Sequence, residues 1–131
     1  MEEETKFHWV EGMKYALEGI KTSFLLNGAA TVSILTFIGN SKNSSNLLVF
    51  AMGLFAFGAA TGPISHLLAY ITQLKYGNAA MGVSTPENDW TEATKMHYWV
   101  YFSVALGIVS FLIGIFLAGI SLWDFSLSTP D

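Results

Sequence analysis

The residue most able to do chemistry in this chain lies inside a long apolar run. His66 is the only histidine so placed, and Pro63 precedes it by one helical turn. An ionisable side chain at membrane depth is costly, so it predicts a functional role, as a pore-facing or gating residue or as a ligand of haem or a metal. The alternative is a structural histidine held by a hydrogen bond. Pro63 removes a backbone hydrogen bond, which predicts either a packing kink or a hinge.

Polar residues recur at helical spacing in the neighbouring apolar runs. Counted inward from the ends of these runs, their depths predict two polar layers near one membrane boundary. The first layer contains Asn27, His66 and Ser103, and the second contains Thr31, Gly62 and Ser110. The remaining half of each run is almost purely apolar. A polar vestibule followed by an apolar constriction is the arrangement that a gated pore needs, since narrow apolar rings close by dewetting.

Small residues accompany the polar ones on the same helical stripes. Such stripes let helix backbones approach closely, which is how helices associate in a membrane. Bundle packing therefore accounts for most of these residues. Three short spans enclose little of their own polar surface, so we also expect the chain to form a homo-oligomer. The glycines assigned to helix packing are Gly58, Gly62, Gly107 and Gly114.

The first 21 residues carry a second group of candidate binding residues. His8 has two glutamates at helical spacing, which is a weak cation site, although a solvated face explains it as well. Lysines interleaved with aromatic rings are able to hold single-stranded nucleic acid. Five glutamates in this arm cancel the charge, and interfacial anchoring explains the aromatics equally well. The residues predicted to contact a ligand or regulator are Lys6, His8, Trp9 and Lys14.

Composition excludes several kinds of protein. The chain has 131 residues, of which 52% are hydrophobic and 12% charged, and three apolar runs separated by short connectors are too many for a soluble domain of this size. It contains no cysteine and no arginine. Disulfides, thiolate metal sites and bidentate guanidinium recognition are therefore excluded. Apart from Lys21 at the edge of the first span, no Asp, Glu or Lys lies within a span, so we expect neither an enzyme nor a metal site.

The predicted fold is all-α: a polytopic membrane protein in one domain, residues 1–131, forming an oligomeric bundle. Hydrophobic periodicity predicts an amphipathic arm at residues 2–21. Three transmembrane helices follow at 20–39, 47–73 and 98–123, with a connector at 75–96 between the second and the third. The arm either lies in the membrane interface or extends the first transmembrane helix. We favour the extension, because no proline separates the two.

The distribution of lysines predicts the orientation. Five of the six lysines fall in the arm and in the long connector, which an odd number of spans places on one side. The positive-inside rule then makes this side cytoplasmic and puts the C-terminus outside. The acidic residues Glu2–Glu4 differ from the basic start of a secretory signal peptide. We therefore expect an inner (plasma) membrane protein of a bacterium, in contact with membrane lipid.

The segment SFLLNGAATVSILTFIGN at 23–40, with FAFGA at 55–59 and a glycine-punctuated last span, resembles small bacterial three-span proteins. Some of these are similar to membrane effectors of antiphage systems such as the Hailong type. The resemblance implies a homo-oligomeric channel or membrane-disrupting effector that depolarises the inner membrane in antiviral defence. Such an effector would be controlled by a cytoplasmic regulator, a nucleotide or an oligonucleotide that acts on the arm and the connector. The resemblance implies no cofactor.

Other families share parts of the layout. The membrane-anchor subunits of succinate dehydrogenase resemble this chain in having three spans and a haem-ligating histidine in the second. That resemblance rests on His66 and implies a non-catalytic anchor or accessory subunit of a larger complex. A holin-like lysis protein is a third alternative. Bacterial diacylglycerol kinase has a similar layout, but the membrane carboxylates on which that family depends are missing here.

Overall fold

The structure, a computed structural model, describes residues 2–41, 45–82 and 86–128, and these ranges form three α-helices. Helix α1 is Glu2–Ser41, α2 is Asn46–Met81 and α3 is Pro86–Ser128. Each helix contains a segment long and apolar enough to cross a membrane. The all-α fold and the three membrane-spanning helices predicted from the sequence are therefore confirmed at this level.

The helices are longer than the predicted spans. They contain 40, 36 and 43 residues, which at about 1.5 Å per residue is far more than the roughly 30 Å of a hydrocarbon core. The arm at 2–21 is the first half of α1 and not a separate element. Most of the segment predicted as a connector, 75–96, is also helical, because α2 continues to Met81 and α3 begins at Pro86.

Local capping chemistry explains where α2 begins and ends. Ser45 has an extended backbone, and its hydroxyl accepts a hydrogen bond from the Leu48 amide at 3.1 Å, as expected for an N-cap. Gly82 has φ of 65°, the left-handed conformation that glycine adopts without strain, and it closes the C-terminus. The Ser45 hydroxyl also hydrogen-bonds to the Ser121 hydroxyl, which joins the start of α2 to the end of α3.

Helices α2 and α3 form an antiparallel hairpin, and α1 packs mainly against α2. Phe55 of α2 is buried against Phe111 of α3, with ring centroids 5.6 Å apart. By contrast, the apolar span of α1 is only 6% buried. Ile20 and Asn27 are the buried residues among the described side chains of α1. Helix α1 is therefore a peripheral helix, and most of its apolar surface is free to contact lipid or another protein.

The charged residues concentrate at one end of the bundle. We call this the charged end; it consists of the N-terminal half of α1, the C-terminal turns of α2 and the N-terminal turns of α3. Here Lys75 forms an ion pair with Glu92, and Tyr76 packs against Trp90 with ring centroids 5.2 Å apart. These contacts hold α2 and α3 together where they project beyond the apolar segments.

Two independent counts place the hydrocarbon boundary at the charged end. A helix needs about 20 residues to cross the core. Counting forward from the start of α2 ends near Leu67, and counting back from the end of α1 ends near Lys21. Gly62 and Phe24, which lie just inside these positions, are in contact. The boundary is therefore near Lys21 and Leu67. Large aromatic side chains, which favour the headgroup region, are exposed around this level at Tyr70, Tyr98, Trp99 and Tyr101.

Candidate functional site

The three helices approach one another most closely around Asn27. This side chain is 1% exposed, and its Nδ2 donates to the carbonyls of Ser23, at 2.9 Å, and Gly107, at 3.4 Å. Because Gly107 belongs to α3, Asn27 ties α1 to a helix that it otherwise contacts little. We call this group the glycine crossing; it consists of Ser23, Asn27, Gly58, Thr61 and Gly107.

Two glycines of the crossing have no room for a side chain. A Cβ atom on Gly58 would lie 2.3 Å from Asn27 Oδ1, and one on Gly107 would lie 2.4 Å from Thr61 Oγ1. Real Cβ atoms do not approach other atoms this closely, so a methyl group at either position would have to displace the Asn27 or the Thr61 side chain. The other two glycines predicted to pack helices are also in close contact. A Cβ on Gly62 would meet Phe24 at 2.9 Å, and one on Gly114 would meet Phe55 at 2.8 Å.

Asn27 Oδ1 is buried without a conventional hydrogen-bond donor. An unpaired buried acceptor typically costs about 1–3 kcal/mol. In glycine, a Cα hydrogen takes the direction that Cβ takes in other residues. A Cβ on Gly58 would lie 2.3 Å from this oxygen. The Gly58 Cα–H group therefore points at Oδ1 and forms a weak C–H···O contact, of the kind common between closely packed helices. Glycine at position 58 thus supplies both space and a partial donor.

Three hydroxyl groups near this level donate to backbone carbonyls of the chain. The Thr61 hydroxyl donates to the Gly58 carbonyl at 2.7 Å, and Ser65 donates to the Thr61 carbonyl at 2.8 Å. Ser103 of α3 donates to the same Thr61 carbonyl at 3.3 Å, which links α3 to α2. Such hydrogen bonds back to the helix are the usual way to accommodate hydroxyls in apolar surroundings. The polar stripes are therefore largely used to pack the chain on itself.

The register of the helices differs from the predicted layers. Asn27 lies level with Gly58 and Gly107, not with His66 and Ser103. Gly62 contacts Phe24, one turn before Asn27, and so does not lie beside Thr31. Thr31 is partly buried and donates to the Asn27 carbonyl at 2.8 Å, and Ser110 is buried. The depth count was misplaced because it took the ends of the apolar runs as one common membrane boundary, whereas the glycine contacts fix the register.

His66 lies outside the crossing, on the surface of the chain. It is exposed, as is Pro63, and α2 continues as a helix through the proline. One turn beyond Gly62, His66 lies close to the boundary inferred from the helix lengths. Its predicted partners Asn27 and Ser103 are buried. Within one chain, His66 therefore does not share a polar layer with them.

The exposed side of α2 has its own row of small residues. Gly53, Ala56 and Ala60 are exposed and recur at spacings of three and four, so they lie on one side of the helix. No atom of a neighbouring helix comes within 4 Å of a Cβ placed on Gly53. The row leads to Pro63 and ends beside His66. We call Gly53, Ala56, Ala60 and Pro63 the outer face of α2; His66 lies about a third of a turn to one side of the line of the first three. The sequence analysis missed its first three members, although their spacing shows them.

The structure describes little of the predicted regulator contacts in the arm. The side chains of Lys6, His8 and Trp9 lie outside the described part of the structure. Lys14 is exposed and pairs with Glu11 at 2.6 Å, one helical turn away. An exposed pair of this kind contributes little to stability, and it leaves both groups accessible from solvent.

A cavity at the charged end was not predicted from the sequence. It has a volume of about 300 Å³ and lies between the first half of α1 and the α2–α3 hairpin. Its lining combines apolar side chains with Gln73, His97 and Tyr101. His97 and Tyr101 are four residues apart in the sequence, a spacing that places them on one helical face. That spacing was a usable signal that the sequence analysis did not use.

These features define a class of protein, a membrane-embedded three-helix bundle. Most of its polar residues within the spans form hydrogen bonds within the chain or close contacts between the helices. Comparison with protein-family models, with curated proteins and with solved structures finds no match to this chain. Within the described ranges, no three His, Asp or Glu side chains are arranged to hold a metal ion. The function must therefore be argued from the helix surfaces.

Proposed function

We propose that this chain is the subunit of a homo-oligomeric, gated channel in a membrane, in which the outer faces of α2 surround the pore axis. One observation carries the proposal. Helix α2 has small residues on two sides, and only one side is used within the chain, where Gly58 and Gly62 pack against α1. The second side, formed by Gly53, Ala56 and Ala60, is exposed.

Self-association explains why the second side is small. Membrane helices gain little from burying apolar side chains, because lipid is equally apolar, and they associate where small residues allow close backbone contact. Elsewhere the bundle exposes bulky side chains suited to lipid, such as Leu35 on α1 and Ile113 and Phe116 on α3. Among the exposed surfaces, the outer face of α2 is therefore the best suited to contact a second copy of the chain.

A ring of α2 helices would have a graded lining. His66 would form a polar mouth at the boundary, followed inward by Ala60, Ala56 and Gly53. Pro63 cannot donate to the Ala59 carbonyl, so this carbonyl offers a polar group next to the mouth, where irregular backbone is tolerated if it lines a cavity. The apolar ring below would close by dewetting and open when the helices move apart.

We place the channel in the inner membrane of a bacterium, with the charged end in the cytoplasm. The charged end projects beyond the boundary near Lys21 and so is accessible to a cytoplasmic regulator, a nucleotide or an oligonucleotide. In the effector version of the proposal, such a signal in antiviral defence controls opening and depolarises the cell. The support for this version is the five lysines of the arm and connector and the length of the projecting helices.

The experiment is expression of the full chain in bacteria with a membrane-potential dye, followed by ion-flux measurements on reconstituted vesicles. We expect the wild-type chain to depolarise cells and Ala60→Leu to reduce the flux at least tenfold, because leucine narrows the apolar ring. Ala105→Leu makes the same chemical change on the exposed surface of α3 and should leave the flux unchanged. If both variants behave alike, or the wild-type chain never conducts, the channel proposal is wrong.

The exposure of His66 favours one alternative function. An outward-facing imidazole at the boundary is accessible to a haem held between this chain and a partner, as in a non-catalytic anchor or accessory subunit. Purification from membranes with mild detergent would then give a Soret absorption band that is lost in His66→Ala. A colourless wild-type protein excludes this alternative and leaves the channel proposal untouched.

A further inference from the structure

The cavity at the charged end has an apolar body. It is bounded by Met13, Leu17 and Ile20 of α1, by Ala69 of α2 and by Val100 of α3. Helices α1 and α3 make few direct contacts, which is why a space remains between them. With a volume of about 300 Å³, it lies at the lower end of the range for ligand sites, roughly 300–1,000 Å³.

The cavity extends outward from the hydrocarbon boundary. Ile20 is next to Lys21, which marks the boundary, and Met13 is seven residues nearer the charged tip. Seven residues of helix span about 10 Å, so the cavity reaches through the headgroup region. Its inner end adjoins the acyl chains of the leaflet. An apolar space at this depth is unusual, because its surroundings are the polar part of the bilayer.

Polar groups occur at two levels of the cavity. Gln73, beside Met13, is at the outer end, whereas His97 and Tyr101 lie further in, since Tyr101 is next to Val100 on α3. His97 Nε2 and the Tyr101 hydroxyl are hydrogen-bonded at 2.8 Å. The Gln73 carboxamide donates to the Met13 thioether at 3.6 Å, and sulfur is a weak acceptor. Thr72 is different, since its hydroxyl is already occupied by the Leu68 carbonyl at 2.8 Å. The Gln73 amide is thus a strong donor paired with a poor acceptor, and an oxygen atom of a ligand would be a better acceptor.

We infer that this cavity binds one long-chain fatty acid. The carboxylate accepts a hydrogen bond from the Gln73 amide at the outer end, and the chain runs inward past Leu17, Ile20 and Val100 into the leaflet. The apolar body and polar outer end match the two parts of such a molecule. The volume fits a single chain and not the two chains of a phospholipid. The inference requires membrane insertion of the bundle but no pore, so it stands apart from the channel proposal.

The test uses the full chain reconstituted in phosphatidylcholine vesicles with a palmitate analogue carrying a photoreactive group in its chain. After illumination, peptide mass spectrometry locates the adducts. We expect saturable labelling within 13–20 and 97–101, with competition by unlabelled palmitate. Leu17→Trp fills the cavity and should remove this labelling. Leu35→Trp makes the same change at a side chain that is 57% exposed on α1 and should retain it.

A second variant tests the polar end without filling the cavity. Gln73→Leu removes the amide donor, and the loss of a hydrogen bond to a charged acceptor should weaken palmitate competition about tenfold. Labelling spread evenly over the exposed faces, or equal labelling in Leu17→Trp and Leu35→Trp, would overturn the inference. Equal labelling by a photoreactive phosphatidylcholine would also overturn it, by showing an ordinary bilayer lipid in the cavity. Neither result depends on whether the chain conducts ions.

Discussion

At the scale of single residues, the contact between Asn27 and Gly58 is the most specific feature of the bundle. The asparagine brings two donors and one acceptor into a buried position, and glycine at 58 both makes room for it and directs a Cα–H group at its unpaired oxygen. The pair belongs to two different helices, so it fixes the register of α1 against α2. Either residue alone would be a poor choice for an apolar helix.

The first prediction concerns this pair. Gly58→Ala places a methyl group 2.3 Å from Asn27 Oδ1 and should destabilise the bundle by about 1–3 kcal/mol, as overpacking typically does. Gly28→Ala is the matched control on α1, where a Cβ meets no neighbouring helix, and it should be neutral or slightly stabilising. Thermal unfolding in detergent, followed by circular dichroism and by aggregation on size-exclusion chromatography, measures both.

A double variant separates this contact from a general effect of the methyl group. Asn27→Ala removes the side chain that the new methyl meets, so Gly58→Ala should cost less in the Asn27→Ala background than in the wild type. If the two substitutions are simply additive, the steric contact between them is not the cause of the destabilisation.

At the scale of elements, the α2–α3 hairpin is the stable unit and α1 is an addition to it. Phe55 is 2% exposed and packs on both Phe111 and Gly114, whereas Phe57, two residues along, is 53% exposed. The two phenylalanines point to opposite environments, one to protein and one to lipid or to a neighbouring subunit. This difference allows the packing of the hairpin to be tested with one helix and one residue type.

The second prediction uses these two phenylalanines. Phe55→Ala should lower stability by roughly 3 kcal/mol, at the low end of the range for soluble cores, because it leaves a cavity between helices. Phe57→Ala leaves no internal cavity and should change the unfolding temperature little. Equal losses for the two variants would show that the hairpin interface is not where the structure places it. The measurement is the same thermal unfolding in detergent.

The sequence predicts that three helices form, but it does not predict how the helices align with one another. Three apolar runs dictate three helices, since an isolated apolar segment in lipid must satisfy its own backbone hydrogen bonds, and the structure has three helices long and apolar enough to span a membrane. The alignment of Asn27 with Gly58 and Gly107 depends on contacts between distant segments. Hydropathy also cannot show where a helix stops when it leaves the membrane, so α2 and α3 extend well into the predicted connector.

The position of His66 shows the same limit at the candidate site. Its residue type and apolar neighbours predicted a pore-facing residue, a ligand or a hydrogen-bonded structural histidine within the membrane, and the structure places its side chain on the surface of the chain. The polar layer predicted for His66 was wrong because its depth was counted from the end of the apolar run. The small residues Gly53, Ala56 and Ala60 had a readable spacing, yet a sequence cannot tell which of two small stripes on one helix packs inside the chain.

At the scale of the whole molecule, the bundle exposes large apolar side chains on all three helices.

The third prediction concerns the outer face of α2. Gly53→Leu puts a bulky side chain on this face without touching the rest of the chain, so it should shift the protein from oligomer to monomer while leaving unfolding cooperative. The mass in detergent, by light scattering after size-exclusion chromatography, reports the change.

Gly119→Leu provides the control for that experiment. Gly119 lies on α3, is exposed and likewise has open space around its Cβ position. It should therefore keep the wild-type mass. A wild-type chain that is already monomeric, or a loss of oligomer in both variants, would argue against α2 as the contact between subunits.

Helix α1 is a rod of 40 residues whose buried side chains, Ile20 and Asn27, lie near its middle. In mechanical terms it is a lever with its fulcrum at the glycine crossing. From Asn27 the rod extends 25 residues to Glu2 and 14 residues to Ser41, which is about 38 Å and 21 Å. If α1 moves as a rigid rod about this point, a sideways displacement of the charged tip moves the Ser41 end in the opposite direction by about half as much.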